Sequence, residues 1–205
     1  MVVPLRKSTA PTAKRAAVEA ALLEATETLL AEGASFADLG VERIAKQAGI
    51  TRTAFYFYFA DKTELLMALT ADVNQLLLEQ ALIWWSGDGE PAIRLERALK
   101  GVAELFGEHA VLLKALGEVA AYDEQVAEHW QRLIGEFVEA TEQRITDEQA
   151  DGRATCASPA ATAFALTWMA EGVFNQRILQ QGGRADDELI TALVEIWVRA
   201  IYGSS

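Results

Sequence analysis

The sequence predicts an all-α protein of about nine helices. Apolar and polar residues almost never alternate at the period of a strand, and only four prolines interrupt the long segments rich in Ala, Leu and Glu. The composition, 51% apolar and 23% charged, is typical of a folded globular chain. With 205 residues, the chain can form one domain or two small ones.

Capping signals place the helices in order along the chain. Thr51 and Asp61 are N-cap residues ahead of apolar periodic segments, and Glu64 follows Asp61 by three residues, as in a capping box. Ser158 followed by Pro159 is a further helix start. These signals and the apolar periodicity predict helices over residues 12–31, 41–48, 51–59, 61–85, 91–107, 110–116, 123–149, 158–181 and 186–202.

The net charge of -12 is distributed unevenly. Residues 1–64 contain eight basic and eight acidic side chains, whereas residues 65–205 contain ten basic and 22 acidic ones. We predict that residues 1–14 form a flexible basic arm, with Lys14 and Arg15 as candidate phosphate contacts. A solvated terminus without a binding role explains the same segment equally well.

The composition argues against several classes of protein. No apolar run approaches the roughly 18 uncharged residues of a membrane-spanning helix, and the first residues lack the apolar segment of a signal peptide, so we expect a cytoplasmic protein. Cys156 is the only cysteine, which excludes an intramolecular disulfide and a cysteine-based zinc cluster. No catalytic constellation or phosphate-binding loop is recognisable, and we predict no enzyme activity, metal or cofactor.

The most specific pattern runs from Val41 to Phe59. Two short helices separated by a turn that contains Gly49 are what a helix-turn-helix requires, because the second helix must be held at a steep angle to enter the DNA major groove. Residues of suitable size and polarity to pack the two helices together are Ile44, Ala45, Ala48, Ile50 and Phe55.

The outer surface of the second helix carries the candidate DNA contacts. Thr51 can bind a phosphate through its hydroxyl and backbone N–H at the helix start. Arg52 can bind a guanine edge or a phosphate, and Thr53 can reach a base edge or a thymine methyl group. Tyr56 is long enough to reach the DNA backbone, and Phe57 is expected on the same surface.

This segment resembles the helix-turn-helix of the TetR family of bacterial transcriptional regulators. The resemblance implies that Lys62 contacts a phosphate, that residues 15–64 form the DNA-binding domain, and that residues 65–205 form an effector-binding and dimerisation domain. Gly40 departs from the family pattern because it lacks a capping hydroxyl, and Phe57 replaces a common His. The residues that carry the resemblance are Ile44–Ala45, Ala48–Thr51, Phe55–Phe59, Lys62 and Leu65.

A closer resemblance is to the EthR-like repressors of this family. They share the Phe-Tyr-Phe-Tyr-Phe run of residues 55–59 and a C-terminal helix that ends as residues 196–203 do here. This resemblance implies an apolar, tunnel-like effector cavity with aromatic walls in the second domain.

Bulky residues on the helical faces of the second domain are candidates for the wall of such a cavity. Aromatic residues at helical spacing are more often ordinary core, so both interpretations stay open for each residue. Glu171 is the most informative member, because burying a carboxylate without a partner is costly; a dimer seam or the solvent is its alternative location. The candidate ligand-binding residues are Val102, Phe106, Trp130, Ile134, Phe137, Thr141, Thr167, Trp168, Glu171, Phe174, Asn175 and Trp197, together with Phe164.

The leading hypothesis is a homodimeric transcriptional regulator, a repressor that binds a palindromic double-stranded DNA operator and is released by a small apolar effector. A dimer is expected because one recognition helix contacts only a few base pairs. We expect the last two helices to form the dimer interface through Ile178, Leu189, Leu193 and Ile196. The alternatives are an activator of the same fold and a helical module that binds a ligand or a protein partner.

Overall fold

The computed structural model describes residues 13–86 and 89–203, and all regular structure within these ranges is helical. The all-α prediction is confirmed. The helices are α1 (Ala13–Ala31), α2 (Val41–Gln47), α3 (Arg52–Phe55), α4 (Lys62–Trp85), α5 (Pro91–Glu108), α6 (Ala110–Ala120), α7 (Glu124–Ala150), α8 (Pro159–Phe174) and α9 (Asp187–Tyr202). None of the helices in the described ranges has the length and apolar character needed to cross a membrane.

The contacts divide the chain into two compact units, one reaching to Ala68 and the other beginning at Leu69. The boundary falls inside α4, which is one continuous helix. Of the predicted basic arm, residues 1–12 lie outside the described residues, whereas residues 13 and 14 belong to the first turn of α1.

The predicted N-caps form the expected hydrogen bonds. Thr51 Oγ1 accepts from the backbone N–H of Ala54 at 3.1 Å, and Asp61 Oδ1 accepts from that of Glu64 at 2.8 Å. Ser158 Oγ accepts from the backbone N–H of Ala161 at 3.3 Å. Each bond satisfies a donor that the first turn of a helix leaves without an intrahelical partner, which explains why the helices begin at these positions.

Three helices differ from the sequence-based expectation. Helix α6 continues to Ala120, four residues beyond its predicted end at residue 116. The recognition segment is α-helical only to Phe55, and the chain then continues through tighter turns in which Phe57 N–H donates to Ala54 O and Tyr58 N–H to Phe55 O. The segment that follows Phe174 is π-helical over Asn175–Gln180. Such a turn holds one extra residue, and here the neighbouring Ile178 and Leu179 are both buried.

The first unit has a small apolar core. Apolar faces of α1, α2 and α3 meet the start of α4, and the loop before α2 adds Phe36 and Leu39. Its buried members are Leu22, Leu29, Leu30, Phe36, Leu39, Ile44, Ala45, Phe55, Phe59, Leu65 and Leu66. Burial on this scale allows a short segment such as α3 to hold a fixed position although four residues cannot form a stable helix alone.

The core of the second unit is built around aromatic pairs. Trp84 and Trp197 meet edge to face at 5.5 Å between ring centroids, and Phe106 and Phe174 lie 5.6 Å apart. These rings come from α4, α5, α8 and α9, so the pairs connect helices that are distant in sequence. Edge-to-face and tilted contacts of this kind add specific orientation to the burial of apolar area.

Candidate functional site

The turn between α2 and α3 has a defined backbone geometry. Gly49 has a φ of 73°, a left-handed conformation that glycine adopts without a steric penalty. The backbone N–H of Ile50 then donates to Ala45 O at 2.9 Å, which ends α2. Ile44, Ala45 and Phe55 are buried, while Ala48 and Ile50 are partly exposed. The two helices are therefore packed through three of the five residues expected to join them.

The outer surface of the recognition segment is open to solvent. Thr51, Arg52 and Thr53 are exposed, and Tyr56 and Phe57 retain 48% and 74% of their accessible surface. Phe57 is the most exposed of the large apolar side chains in the described structure. The five residues expected to face DNA are thus free to do so, and Thr51 can donate its hydroxyl hydrogen while its oxygen caps α3.

Lys62 does not fit the expected phosphate contact. Its Nζ donates to the backbone carbonyls of Phe36 at 2.8 Å, Ala37 at 2.7 Å and Leu39 at 3.3 Å. Because an ammonium group has three donors, these carbonyls account for all of them. Burial lowers the pKa of Lys62, partly offset by the charge of Asp38. The structure gives Lys62 a positioning role, in which it fixes the loop before α2.

The two basic residues at the start of α1 differ in their surroundings. Arg15 Nε pairs with Glu19 Oε1 at 2.8 Å, and its guanidinium lies 5.8 Å from the ring centroid of Tyr58. Lys14 is exposed. Arg15 therefore connects α1 to the turn after α3, whereas Lys14 is the more available of the two for a phosphate.

A largely apolar cavity lies within the second unit. It has a volume of about 90 Å³, space for about six to nine water-sized groups. Its wall is formed by α4, α5, α7, α8 and α9. The lining residues are Asn74, Leu77, Ala81, Trp84, Trp85, Leu95, Ala98, Leu99, Val102, Phe106, Trp130, Leu133, Ile134, Phe137, Thr141, Thr167, Ala170, Glu171, Phe174 and Trp197.

Ten of the thirteen candidate ligand-binding residues line this cavity, and Phe164, Trp168 and Asn175 do not. Trp168 lies beside Phe164, at 6.2 Å between ring centroids, and borders a surface hollow with Leu189 and Ala192 of α9. Trp168 follows the cavity-lining Thr167 directly, but its ring packs beside Phe164 and does not line the cavity. Asn175 begins the π-helical turn and hydrogen-bonds to Glu171 instead of lining the cavity.

The sequence analysis missed the contribution of α4. Trp84 and Trp85 at its end both line the cavity, and Trp85 Nε1 donates to Thr141 Oγ1 at 3.2 Å. Arg94 donates to the carbonyls of Ile83 and Trp84, where the helix dipole is negative. The adjacent tryptophans within an apolar periodic helix were the available signal, but their partners on α5 and α7 are distant in sequence.

The cavity wall includes a few polar groups. Glu171 Oε1 accepts from Asn175 Nδ2 at 3.4 Å, and burial raises the pKa of this carboxyl. Within the described structure, Thr167 Oγ1, Trp84 Nε1 and Trp197 Nε1 are buried and have no hydrogen-bond partner. Buried polar atoms without a partner are uncommon in folded proteins, and here three belong to residues around one cavity.

Two of the four expected dimer-interface residues are core residues. Ile178 and Leu193 are only 3% and 2% exposed within the chain itself, so neither can contact a partner in this conformation. Leu193 shares its face of α9 with the buried Trp197, four residues on. Leu189 is partly exposed and Ile196 is 47% exposed, which leaves both on the outer face of α9.

Known proteins match both units. Residues 22–69 match the family described as bacterial regulatory proteins, tetR family, and residues 95–203 match the C-terminal domain of the transcriptional regulator EthR. The regulator EthR of Mycolicibacterium smegmatis is 31% identical over 191 residues, which cover 91% of this chain and 87% of the relative. EthR of Mycobacterium tuberculosis is 32% identical over 191 residues, with coverages of 91% and 88%.

The fold alone is shared with GusR of Salmonella enterica, with a TM-score of 0.75 and 18% identity over 96% of this chain and 99% of that chain. An all-α chain with a helix-turn-helix in its first unit and an apolar cavity in its second is a helical transcriptional regulator. This chain belongs to the TetR family, and its C-terminal domain is of the EthR type. The EthR relatives are named as transcriptional regulators, which are not enzymes.

Proposed function

We propose that the protein is a homodimeric repressor that binds a palindromic operator and leaves it when a small, mainly apolar molecule occupies the cavity. The exposed surface formed by Arg52, Thr53, Tyr56 and Phe57 supports DNA binding most strongly. It combines a guanidinium, two hydroxyls and an apolar ring on a segment anchored by buried Phe55. These groups suit phosphate contacts, base edges and thymine methyl groups.

Helix α4 contributes residues to both units. It begins with Lys62, which fixes the loop before α2, and ends with Trp84 and Trp85 in the cavity wall. The ligand releases DNA only if it binds the conformation of lower DNA affinity more tightly than the other.

DNA binding is tested by a gel-shift assay on the DNA upstream of the protein's own coding region. Arg52→Ala or Tyr56→Ala should weaken binding by about 5- to 150-fold, because each removes a DNA contact of about 1–3 kcal/mol. Arg97→Ala and Tyr122→Ala are matched controls, since both residues are exposed in the second unit and outside the proposed contact surface. Unchanged affinity in both recognition-segment variants would contradict the proposal.

The same gel-shift assay tests the release of DNA, and a reporter gene tests the direction of regulation. Affinity should decrease steeply with salt, because phosphate contacts release counterions, and it should decrease when apolar ligands are added. A reporter gene placed behind the operator separates repression from activation: deletion of the regulator raises expression in the first case and lowers it in the second. A protein that binds no DNA at low salt would favour a ligand-binding or protein-binding module.

A further inference from the structure

The cavity contains one side chain of a different chemical class from the rest. Among the described residues that line it, Glu171 is the single ionisable one. The other lining residues are aliphatic or aromatic, apart from two threonines and one asparagine. An ionisable group in such surroundings loses hydration unless a charged or hydrogen-bonding partner replaces it.

Glu171 has little compensation within the chain. Its one hydrogen bond in the described structure is to the Asn175 amide at 3.4 Å, and Asn175 Oδ1 in turn accepts from Gln180 Nε2 at 3.4 Å. No described Lys, Arg or His forms an ion pair with Glu171. The Asn175 amide therefore faces Glu171 as a weak, neutral donor, which is insufficient to balance a half-buried negative charge.

Glu148, a more deeply buried carboxylate of the same unit, has charged partners. Glu148 is 1% exposed and forms ion pairs with Arg144, one turn before it, and with Arg153. Two guanidinium groups thus balance the charge of Glu148, which has a structural role. The absence of such partners at Glu171, within the described residues, indicates a carboxylate whose cation is not supplied by the chain.

The walls around Glu171 suit a cation as well. Phe174 lies three residues further along α8 and contacts Phe106 at 5.6 Å between ring centroids. Trp130 and Trp197 add two indole rings to the same cavity. Aromatic faces attract ammonium groups, more strongly where solvent is excluded, and at the same time accept an apolar tail.

We infer that the cavity selects a slender lipophilic ammonium ion, with the charged head on Glu171 and the hydrocarbon part among the aromatic rings. The small volume of the cavity favours an unbranched ligand over a bulky one. The regulatory consequence, that such a cation releases DNA, rests on the proposed function. The binding preference itself rests on the cavity alone.

The test compares octylammonium with octan-1-ol, which have the same number of non-hydrogen atoms and differ in charge. Isothermal titration on the full-length protein should give at least about tenfold tighter binding of octylammonium, which corresponds to about 1.4 kcal/mol. In Glu171→Gln, which keeps the side-chain shape and removes the charge, the two affinities should agree within about threefold. Binding of octanol should change little, so the variant also reports an intact cavity.

Glu139→Gln is the matched control. Glu139 is an exposed carboxylate of α7, so its replacement removes the same charge from the same unit without touching the cavity. The control should retain the full preference for octylammonium. Equal loss of preference in both variants would mean that the general acidity of the unit attracts the cation, and it would overturn the assignment to Glu171.

Three further results would also overturn the inference: equal or tighter binding of octanol to the unchanged protein, failure of both compounds to bind, or full preference for the cation in Glu171→Gln. A gel-shift assay with operator DNA separates failure of the cation preference from failure of the proposed regulatory function. Release of operator DNA by octanol but not by octylammonium would support the regulator and refute the cation preference. A protein that prefers the cation but binds no DNA would support the cation preference and refute the proposed function as a regulator.

Discussion

Lys62 shows how the partners of a side chain decide its role. Its position at the start of α4 agrees with the family resemblance, but its ammonium donates to three carbonyls of the loop before α2 and lies 5.1 Å from the ring centroid of Phe36. A lysine held in this way orders the loop before α2, and any part that it has in the proposed DNA binding acts through that loop. The distinction matters because a phosphate contact and a positioning contact respond differently to salt.

Replacing Lys62 with Met should therefore destabilise the protein by about 1–3 kcal/mol, the usual effect of losing charged hydrogen bonds to carbonyls. Chemical denaturation measures this change. DNA affinity should fall as well. In a plot of the logarithm of the affinity against the logarithm of the salt concentration, however, the slope should stay the same. Loss of a phosphate contact would instead reduce the magnitude of this slope by about 0.9. Lys46→Met, an exposed lysine of α2, provides the comparison for stability. Equal stability of the two variants would refute the positioning role.

The importance of Glu171 could be predicted from the sequence, whereas that of Arg94 could not. A carboxylate within an apolar helix is visible in the sequence, so Glu171 could be singled out. Arg94 is buried, and its guanidinium donates to carbonyls at the end of α4. In the sequence Arg94 looks like any charged residue in the first turn of a helix, and only the packing of α5 against α4 gives it a function.

At the scale of elements, the turn between α2 and α3 determines where the recognition segment lies. Gly49 adopts φ 73°, and a Cβ built there would meet no atom within 4 Å. The requirement for glycine is thus one of backbone conformation, not of space. A side chain at this position would strain the turn without colliding with any neighbour.

We expect Gly49→Ala to destabilise the protein by about 1–2 kcal/mol and to weaken DNA binding, because an L-residue in this region raises the energy of the native turn. Gly117→Ala is the matched control. Gly117 lies inside α6, also with no atom within 4 Å of a built Cβ, so this change should stabilise by up to about 1 kcal/mol. Thermal denaturation of both variants shows whether Gly49→Ala lowers the stability and Gly117→Ala raises it. A stabilising Gly49→Ala would contradict the assigned conformation.

The ends of α3 and α8 differ from what the sequence pattern predicts. Periodicity predicted a helix through residue 59 and an uninterrupted eighth helix, but α3 ends at Phe55 and α8 changes to a π-helical turn at Asn175. Both changes place apolar residues in the core: Phe55 and Phe59 in the first unit, and Ile178 in the second. Tertiary burial therefore overrides the local preference for regular α-helix, which a single-sequence pattern cannot detect.

At the scale of the whole molecule, the proposed dimer depends on a surface of α8 and α9. Phe164 is 57% exposed, and it lies beside Trp168, which borders the hollow formed with α9. Ile196 is exposed on α9 itself. These outward residues, rather than the buried Ile178 and Leu193, are the ones available for contact with a second copy.

Phe164→Glu or Ile196→Glu should convert a dimer into a monomer, as measured by light scattering after size-exclusion chromatography. In a twofold interface each substitution occurs twice and places an unpaired carboxylate among apolar groups. Ile93→Glu on α5 is the control, because Ile93 is similarly exposed but belongs to another helix. Dimers that persist in both α8 and α9 variants would refute this interface.

The sequence by itself determined the all-α fold, the N-caps, the helix-turn-helix and half of the cavity wall, because these depend on periodicity and on short-range hydrogen bonds. Ten candidate cavity residues were found in this way, since the inward face of a long amphipathic helix is a local property. Only the tertiary structure decided that Lys62 binds carbonyls, that Trp84 and Trp85 complete the wall, and that Glu171 has no cationic partner among the described residues. Each of these three findings depends on which groups a side chain contacts. Those groups come from segments that are distant in sequence, so a local sequence pattern does not reveal them.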